Sequence, residues 1–304
     1  MEAVLSFCFA VLLAPFFPVV IQKVKAGIAG KQGPPWLINY YTVVKLLRKG
    51  SVYSTSTSFV FKLGPVVSLA ASLLLMLFFP WAGRAPICSF HGDVIMLFYL
   101  MGLGRFFTIL AALDTASPFE GMGAAREAFF SVLAEATIFC ILILFFRLTG
   151  SLSFAEFFVD THLLNLMDTH GALLLLAVVG LYIVMLTENS RVPVDDPATH
   201  LELTMIHEVM ILDHSGPDLA LIEIGAWFKL LFYAAFLSCI INPFQVDNVF
   251  LNGFLFCAVV VFVYITIGVV ESCMARYKLE VVPKFILKAS ILVLFGIILT
   301  IGGL

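Results

Sequence analysis

Acidic side chains and histidines concentrate in one segment of an otherwise apolar chain. The segment from Glu188 to Gly216 reads ENSRVPVDDPATHLELTMIHEVMILDHSG and holds three of the six histidines but only one base, Arg191. Carboxylates and imidazoles are the side chains that most often transfer protons in proteins. The segment is therefore predicted to handle protons or cations, or to bind a basic partner. Its six acids are Glu188, Asp195, Asp196, Glu202, Glu208 and Asp213.

A second polar set lies inside the apolar stretches. Arg105 falls deep in an apolar run, and a charge at that depth normally faces a bundle interior or a water-filled cavity. Glu135 lies about two helical turns after Glu127, and the two project about 80° apart on a helix, near enough to line one polar track. We interpret Glu135 as a candidate proton-relay carboxyl. The alternative is a carboxyl that stays neutral or pairs with Arg105 for structural reasons.

Further charged residues are predicted to gather at the membrane edge that carries the acidic segment. Arg126 and Glu127 lie at the start of one apolar run, and Glu271 and Arg276 follow the last but one run along the chain. Together with Arg105 and Arg191 they are predicted to shape the electrostatic field around the acids rather than to transfer protons. These residues are Arg126, Glu127, Glu271 and Arg276.

The histidines and cysteines do not form a metal-binding pattern. Asp196 followed by Pro197 predicts a helix of about sixteen residues that ends at Leu212. On it His200 and His207 share a face but lie about 10 Å apart, too far to bind one metal ion. The six cysteines are scattered without a C-x-x-C pair. No metal, iron–sulfur cluster or catalytic residue is therefore predicted in this chain, and no nucleic-acid surface either.

The composition predicts the frame that positions these residues. The chain has 304 residues, of which 62% are hydrophobic and 12% charged, with a mean hydropathy of +1.07. Such a composition indicates an all-α polytopic membrane protein, because unpaired backbone groups are excluded from lipid. A single membrane domain, 1–304, is predicted from apolar runs of about 20 residues. The runs are 3–22, 64–82, 93–113, 127–148, 170–187, 226–243, 249–270 and 285–303.

The distribution of bases predicts the orientation of the eight helices. The loop after the first run, from Lys23 to Lys62, has seven bases and no acid, so the positive-inside rule places it in the cytoplasm. The amino terminus is then outside, and the acidic loop 188–225 is cytoplasmic. Fourteen of the twenty acids fall on that same side. Because acids do not determine topology, their asymmetry indicates a functional cause.

Within the first loop, GPPWLINYYTVVKLLRKGSV continues from a Gly-Pro-Pro turn as an amphipathic segment. Such a helix can lie along the membrane interface, with its bases directed to lipid phosphates or to an acidic partner. The alternative is a solvated basic face with no partner. The bases that we predict to dock a partner subunit are Lys45, Arg48 and Lys49.

Several motifs resemble one family. The pattern E-x-x-R-x-P-x-D, from Glu188 to Asp195, is similar to the acidic loop of the complex I membrane subunit that joins the hydrophilic arm to the membrane arm. GPPWLINYYTVVKLL, GMGAAREAFFSVLAE and ESCMARYK continue the resemblance in order along most of the chain. VVKLLRKGSV, LDTASPFEGMGAAREAF and VPVDDPATHLEL look more like the homologous subunit of group 4 membrane-bound [NiFe] hydrogenases of the formate hydrogenlyase type. The chain departs from the complex I pattern at Ala198 and His200, where that family usually has acids.

The resemblance implies a function in the cell inner (cytoplasmic) membrane. It predicts a multi-pass anchor and proton-coupling subunit, with the [NiFe] centre and iron–sulfur clusters held by partners: the hydrogenase large and small subunits and a ferredoxin-like protein. Antiporter-like membrane subunits and lipid complete the expected surroundings. The open alternatives are a quinone-site subunit of complex I and a stand-alone ion-coupled transporter, against which the lack of an internal repeat counts mildly. Among the acids, Glu208 is expected to matter less than the others.

Overall fold

The computed structural model describes residues 2–160, 170–197, 205–242 and 249–302. In these ranges the chain is helical without strands, which confirms the all-α class. Seven helices are long and apolar enough to cross a membrane, and a bent helix pair at the amino terminus makes an eighth span. The chain is a multi-pass membrane protein. The spanning helices after that pair are α4 (Phe59–Phe78), α5 (Asp93–Asp114), α6 (Pro118–Thr149), α7 (Gly171–Glu188), α9 (Pro217–Ile241), α10 (Val249–Cys273) and α11 (Val282–Ile301).

The first apolar run forms two helices instead of the one predicted from 3 to 22. Helix α1 (Glu2–Leu13) and helix α2 (Phe17–Ile28) meet at an angle of 41°. Pro15 causes the break, because proline lacks the N–H that a helix interior needs and its ring clashes with the preceding turn. Pro18 lies in the first turn of α2, where a missing N–H costs nothing.

The amphipathic segment of the first loop is helix α3 (Ile38–Leu47). Two side chains fasten it to the bend between α1 and α2: the Asn39 amide donates to the Pro15 carbonyl at 2.8 Å, and the Tyr40 hydroxyl donates to the Leu12 carbonyl at 2.5 Å. The helix therefore packs beside this bend, and the residues that follow it continue to the end of the bundle where the acidic segment lies. We call this end the loop face, since the first loop and the acidic segment both lie there.

Two helices extend past their predicted starts at the loop face. Helix α6 begins at Pro118 instead of residue 127, and α9 begins at Pro217 instead of residue 226. The 32 residues of α6 span about 48 Å, well beyond a hydrocarbon core of about 30 Å. Hydropathy alone missed these first turns because they carry polar side chains, which the loop-face structure accommodates.

Helix α9 is the centre of the bundle. Of its most apolar window, 72% is buried, against 33% for α10 and α11. It packs against α3, α4, α7 and α10. Away from the loop face, phenylalanines close the core by edge-to-face contacts, such as Phe232 with Phe79 at 5.3 Å and Phe236 with Phe154 at 5.3 Å. The buried ion pairs between described residues thus lie in the half of the bundle nearer the loop face, whereas at the opposite end the buried Asp93 carboxylate accepts hydrogen bonds from Ser153 and the Phe154 N–H.

Candidate functional site

Arg105 of α5 is the hub of a buried ion-pair cluster. Its guanidinium donates to Glu135 Oε1 at 2.8 Å and to Glu188, while its Nε lies 3.8 Å from Glu127 Oε1. The carboxylates come from α6 and from the last residue of α7. The Arg105 and Glu188 side chains are 7% and 1% exposed, so this pair is buried. Arg105 therefore balances charge inside the bundle, as its depth in the sequence indicated.

Lys229 of α9 completes this central cluster. Its Nζ lies 2.8 Å from Glu188 Oε2 and donates to the Glu188 main-chain carbonyl at 2.6 Å. That carbonyl is at the carboxyl end of α7, where helical carbonyls have no partner within the helix, so one ammonium satisfies two acceptors. We define the central cluster as Arg105, Glu127, Glu135, Glu188 and Lys229.

A cavity of about 420 Å³ lies beside the central cluster and extends towards the loop face. Arg105, Glu188 and Lys229 are part of its lining, as are residues of α2, α3 and α4 and, in the acidic segment and α9, Glu208 and Glu223. A cavity with this volume and several polar partners is large enough to hold ordered water. The cavity thus extends from the buried carboxylate of Glu188 to Glu208 of the acidic segment.

Glu208 and His207 sit next to each other on this cavity with opposite protonation behaviour. The pKa of Glu208 is raised to about 7, chiefly by burial and then by the carboxylates of Glu223 and Asp195, against the opposing charge of Arg191. The pKa of His207 is lowered to about 4, chiefly by burial and then by nearby Lys229. At neutral pH the imidazole is uncharged, whereas the Glu208 carboxyl exchanges protons.

Asp195 organises the acidic segment around its own carboxylate. It is 1% exposed, and its Oδ2 accepts the backbone N–H groups of Ile206 and His207, both at 3.1 Å. Its Oδ1 lies 3.0 Å from Arg276, which follows α10. These contacts join two parts of the acidic segment to the loop between α10 and α11. The predicted association of Arg276 with this face is thus a direct ion pair.

The helix predicted from Asp196 to Leu212 is wrong over the described residues. Asp196 and Pro197 are not helical, and residues 205–212 contain one helical turn, α8 (His207–Met210). Residues 198–204, with His200 and Glu202, lie outside the described ranges. The Asp195 carboxylate is the physical reason, because it binds backbone N–H groups that a continuous helix would use internally.

The first turns of α6 carry the acidic segment. Arg126 donates to the Met205 carbonyl at 3.0 Å, and Glu120 Oε1 accepts the Asp213 backbone N–H at 3.2 Å. Between them Gly123 lies directly under Val209, with no room for a side chain. The segment is therefore anchored at three points along α6, the helix that also supplies Glu127 and Glu135.

Glu271, at the end of α10, joins two further bases. Its carboxylate lies 2.8 Å from Lys25 of α2 and 3.4 Å from Arg191 of the acidic segment. Its side chain is 1% exposed. Arg191 is thus largely buried and joins the acidic segment to α10. In contrast, the bases Lys45, Arg48 and Lys49 are exposed.

The first loop also packs on the acidic segment. The Val52 N–H donates to Ser215 Oγ at 3.2 Å, and the Tyr53 hydroxyl donates to Asp218 at 2.7 Å. Gly216 has φ +57°, which favours glycine, and the position of a Cβ there would lie 2.8 Å from the Gly50 carbonyl oxygen. The first loop and the acidic segment are therefore held together by two hydrogen bonds and one close backbone contact.

The structure brings together some predicted residues and separates others. Arg105, Glu127, Glu135 and Glu188 form one cluster, in which Glu188 of the predicted acidic loop joins the two residues predicted deep in apolar runs, Arg105 and Glu135. Asp213 is exposed, and its described contact to α6 is made by its backbone N–H. Asp196 is partly exposed and its N–H bonds to the Asp195 carboxylate at 3.0 Å. The bases Lys45, Arg48 and Lys49 are all exposed at the loop face.

The sequence did not indicate a role for Glu120, Glu223 or Lys229. In the structure Glu120 holds the acidic segment, Glu223 lines the cavity and Lys229 belongs to the central cluster. Lys229 had a usable signal, since it is a single base inside the apolar run that forms α9, just as Arg105 is in α5. Among the described residues, no group of three or more His, Cys, Asp or Glu is arranged to hold a metal ion.

Comparisons with known proteins agree with this architecture. A family model described as NADH dehydrogenase matches residues 1–302. Formate hydrogenlyase subunit 4 of Escherichia coli is 29% identical over 285 residues, covering 90% of this chain and 89% of that protein. Hydrogenase-4 component C of the same organism is 29% identical over 233 residues, 77% of this chain and 72% of that protein. NADH-ubiquinone oxidoreductase chain 1 of Arabidopsis thaliana is 25% identical over 236 residues, 75% of this chain and 70% of that protein.

The fold has a solved counterpart. A chain in the structure of the membrane-bound sulfane sulfur reductase, an archaeal respiratory membrane complex, superposes with a TM-score of 0.82 over 98% of both chains at 21% identity. The resemblance predicted from the sequence motifs is confirmed by the family match and by the two hydrogenase-type relatives. The chain belongs to the NADH dehydrogenase family, whose members include the membrane subunit that complex I and the related hydrogenases share.

Proposed function

We propose that this chain is the membrane anchor and proton-coupling subunit of a multisubunit [NiFe] hydrogenase complex of the formate hydrogenlyase type. Two relatives, formate hydrogenlyase subunit 4 and hydrogenase-4 component C, support the class of complex. In this proposal the chain lies in the cytoplasmic membrane with its loop face towards the cytoplasm. The [NiFe] centre and the iron–sulfur clusters belong to partner subunits docked there.

The observation that carries the proposal is the buried central cluster connected by a polar cavity to the loop face. A buried carboxylate changes its proton affinity when a neighbouring charge changes, because the low dielectric screens the interaction poorly. Glu208, with a pKa of about 7, can exchange protons at the cavity wall. Charge changes at the docked redox subunits would therefore alter the protonation of this cavity.

The route from the loop face to the cluster combines an ion pair, backbone hydrogen bonds and the cavity. Asp195 holds Arg276 and the backbone before α8, and α8 carries His207 and Glu208 on the cavity wall. The cavity then reaches Glu188 at the end of α7. Displacement of the acidic segment by a docked subunit would therefore change the field at the central cluster.

The test separates coupling from catalysis. We expect Glu188→Gln and Asp195→Asn to leave the complex assembled, and to lower hydrogen evolution with the physiological donor more than activity with an artificial donor. Glu202→Gln, outside the described residues, belongs to the same series. Glu280→Gln is the matched control, because Glu280 is an exposed acid at the loop face. A parallel fall of both activities in these variants would make the acids structural and the coupling proposal wrong.

Docking of the soluble subunits is assigned to α3 and the residues after it. The face exposes Tyr41 and Leu47, at 63% and 51%, beside the exposed bases Lys45 and Arg48. Exposed apolar side chains flanked by bases suit an acidic partner surface with an apolar centre. We expect Lys45→Glu to release the soluble subunits from washed membranes.

The control for docking is Arg147→Glu, which reverses an exposed charge at the opposite end of α6. It is expected to leave retention unchanged. Equal retention of the soluble subunits in the Lys45→Glu and wild-type membranes would refute the docking assignment. Purification in mild detergent tests the whole proposal: quinone-dependent activity would instead support a complex I function, and ion transport by the isolated chain a transporter.

A further inference from the structure

Glu135 differs from the other carboxylates of the central cluster in its exposure. Its side chain is 43% exposed, whereas those of Glu188 and Glu127 are 1% and 11% exposed. Its neighbours at i−3 and i+4 on α6, Val132 and Phe139, are 64% and 42% exposed. Residues at these spacings share a helix face. The exposed part of Glu135 is therefore on the outer surface of the bundle and not in the central cavity.

This exposed carboxylate is at the depth of the hydrocarbon core. Helix α5 has 22 residues and spans about 33 Å, and Gly102 is near its middle. Glu135 Oε1 lies 3.7 Å from the position that a Cβ on Gly102 would occupy. At such depth lipid tails offer no hydrogen bond, and a carboxylate facing them is strongly disfavoured. A bare lipid-facing surface is inconsistent with this group.

The charges of the central cluster indicate what covers it. Among the described residues, Glu127, Glu135 and Glu188 pair with two cations, Arg105 and Lys229. With all three carboxylates ionised, the cluster has one more negative charge than positive charges. Because Glu135 is the most exposed of the three carboxylates, an additional cation can reach the cluster at this position.

Exposed apolar side chains surround Glu135 on the outer surface of α5 and α6. Tyr99 and Phe106 of α5 are 67% and 54% exposed, and the Tyr99 ring meets the Phe139 ring of α6 edge-on at 6.5 Å between centroids. At Gly102 the missing side chain leaves only Glu135 Oε1 within 4 Å of the Cβ position, and small residues allow close approach of helices within a membrane. We call this surface at Gly102 and Glu135 the groove; it is apolar with one acidic point.

We propose that the groove between α5 and α6, centred on Gly102 and Glu135, docks a transmembrane helix of a membrane partner subunit that presents a lysine or arginine at mid-depth. The inference rests on the proposed function only in taking this chain as part of a membrane complex. The partner's cation pairs with Glu135 and neutralises the excess charge of the central cluster. The contact connects that cluster electrostatically to the partner's interior.

The first test is site-specific photo-crosslinking in native membranes that contain the whole complex. A photoreactive phenylalanine analogue replaces Val132 or Phe139, and the controls carry it at Phe262 of α10 or Ile298 of α11, which are 57% and 63% exposed. We expect irradiation at 132 and 139 to yield an adduct with a membrane-spanning polypeptide of the complex, at least tenfold above both controls. Adducts with lipid alone, with a second copy of this chain, or at the control level overturn the proposal.

The second test concerns the charge. Glu135→Gln retains an oxygen acceptor for the partner's cation, so we expect the partner to co-purify as in the wild type. Glu135→Lys places like charges together and is expected to reduce the co-purified partner at least tenfold. Changing the basic residue of the crosslinked partner helix to glutamate should restore it in the Glu135→Lys background. Failure of that charge exchange, with the crosslink present, would overturn the cationic nature of the contact.

The soluble subunits provide the readout that separates this inference from the proposed function. If Glu135→Lys removes the membrane partner while the soluble subunits stay bound, the groove is the docking site whatever the result of the coupling assay. If the crosslinks are absent while Glu188→Gln still lowers the coupled activity selectively, the proposed function stands and the groove assignment is wrong.

Discussion

Gly123 offers the sharpest test of how the acidic segment is held. A Cβ at this position would lie 2.2 Å from Val209 Cγ1, 3.0 Å from the Ile206 carbonyl oxygen and 3.2 Å from Met210 Cγ. Ordinary contacts of a Cβ begin near 3.4 Å, so Gly123→Ala requires α8 to move by roughly 1 Å. The Ile206 N–H is bonded to Asp195, and that movement therefore strains the bonds that organise the segment.

The magnitude follows from two opposing contributions. Alanine favours a helix interior over glycine by roughly 0.5–1 kcal/mol. Overpacking a filled interface costs roughly 1–3 kcal/mol. Gly121 lies on the same helix with nothing within 4 Å of its Cβ position, so Gly121→Ala has only the first contribution. The difference between the two variants is thus about 1–3 kcal/mol in favour of Gly121→Ala, because the helix propensity cancels.

The assay compares both variants in the purified complex and in washed membranes. We expect Gly123→Ala to lower the melting temperature of this chain and the ratio of physiological to artificial-donor activity, relative to Gly121→Ala. Equal melting temperatures and equal ratios for the two variants would refute the packing of α8 on α6. A lowered melting temperature with an unchanged ratio would show that the position of the segment does not affect coupling.

Three further predictions concern single groups. Because the pKa of Glu208 is raised to about 7, the folded chain binds the Glu208 proton more tightly than the unfolded chain does. The stability that this proton contributes is lost as pH rises from about 4.5 to 7. The melting temperature of Glu208→Gln should therefore depend less on pH between pH 5 and 8 than that of the wild type. Lys229→Met leaves Glu188 short of one partner and should cost about 3–5 kcal/mol, seen as a lower melting temperature. Tyr53→Phe removes the bond to Asp218 and should cost about 0.5–1.5 kcal/mol, seen as faster tryptic cleavage in the first loop.

Two control variants at exposed positions accompany these predictions. Glu280→Gln and Lys284→Met change exposed groups at the loop face and should leave the melting temperature and its pH dependence as in the wild type. A pH dependence that persists in Glu208→Gln would assign the titration to another group. Tryptic cleavage of Tyr53→Phe at the wild-type rate would show that the Tyr53 hydroxyl does not hold the loop.

The expected minor importance of Glu208 was based on the family resemblance, which gives Glu208 no clear counterpart. The structure gives a physical reason for the opposite expectation, since Glu208 lies on the cavity near Glu223 and Asp195 and has a pKa of about 7. Spacing along the chain does not contain this information, because Glu223 belongs to another element, α9. Burial and the charges of neighbouring elements determine a proton affinity, and both depend on packing.

The sequence by itself determined the class of the protein and the approximate helices. Lipid excludes unpaired backbone groups, so long apolar runs have only one stable conformation there, and hydropathy is enough to find them. It also indicated that Arg105 and Glu135 must face polar surroundings, because a charge in an apolar run is stable only when paired or hydrated. Hydropathy did not show the break at Pro15. It also missed the early starts of α6 and α9, because those first turns are polar and are recognisable only from their packing at the loop face.

Only the tertiary structure decided which charges meet. Arg105 joins carboxylates from α6 and α7, and Lys229 reaches the end of α7 from α9, so every pair in the central cluster connects residues far apart in the chain. The single helical turn α8 replaced a longer predicted helix because the distant packing of α6 and the Asp195 carboxylate outweighed local propensity. The outward position of Glu135 likewise depends on how α5 lies against α6. Helical periodicity is a local property, whereas ion pairing and exposure are determined by packing between elements.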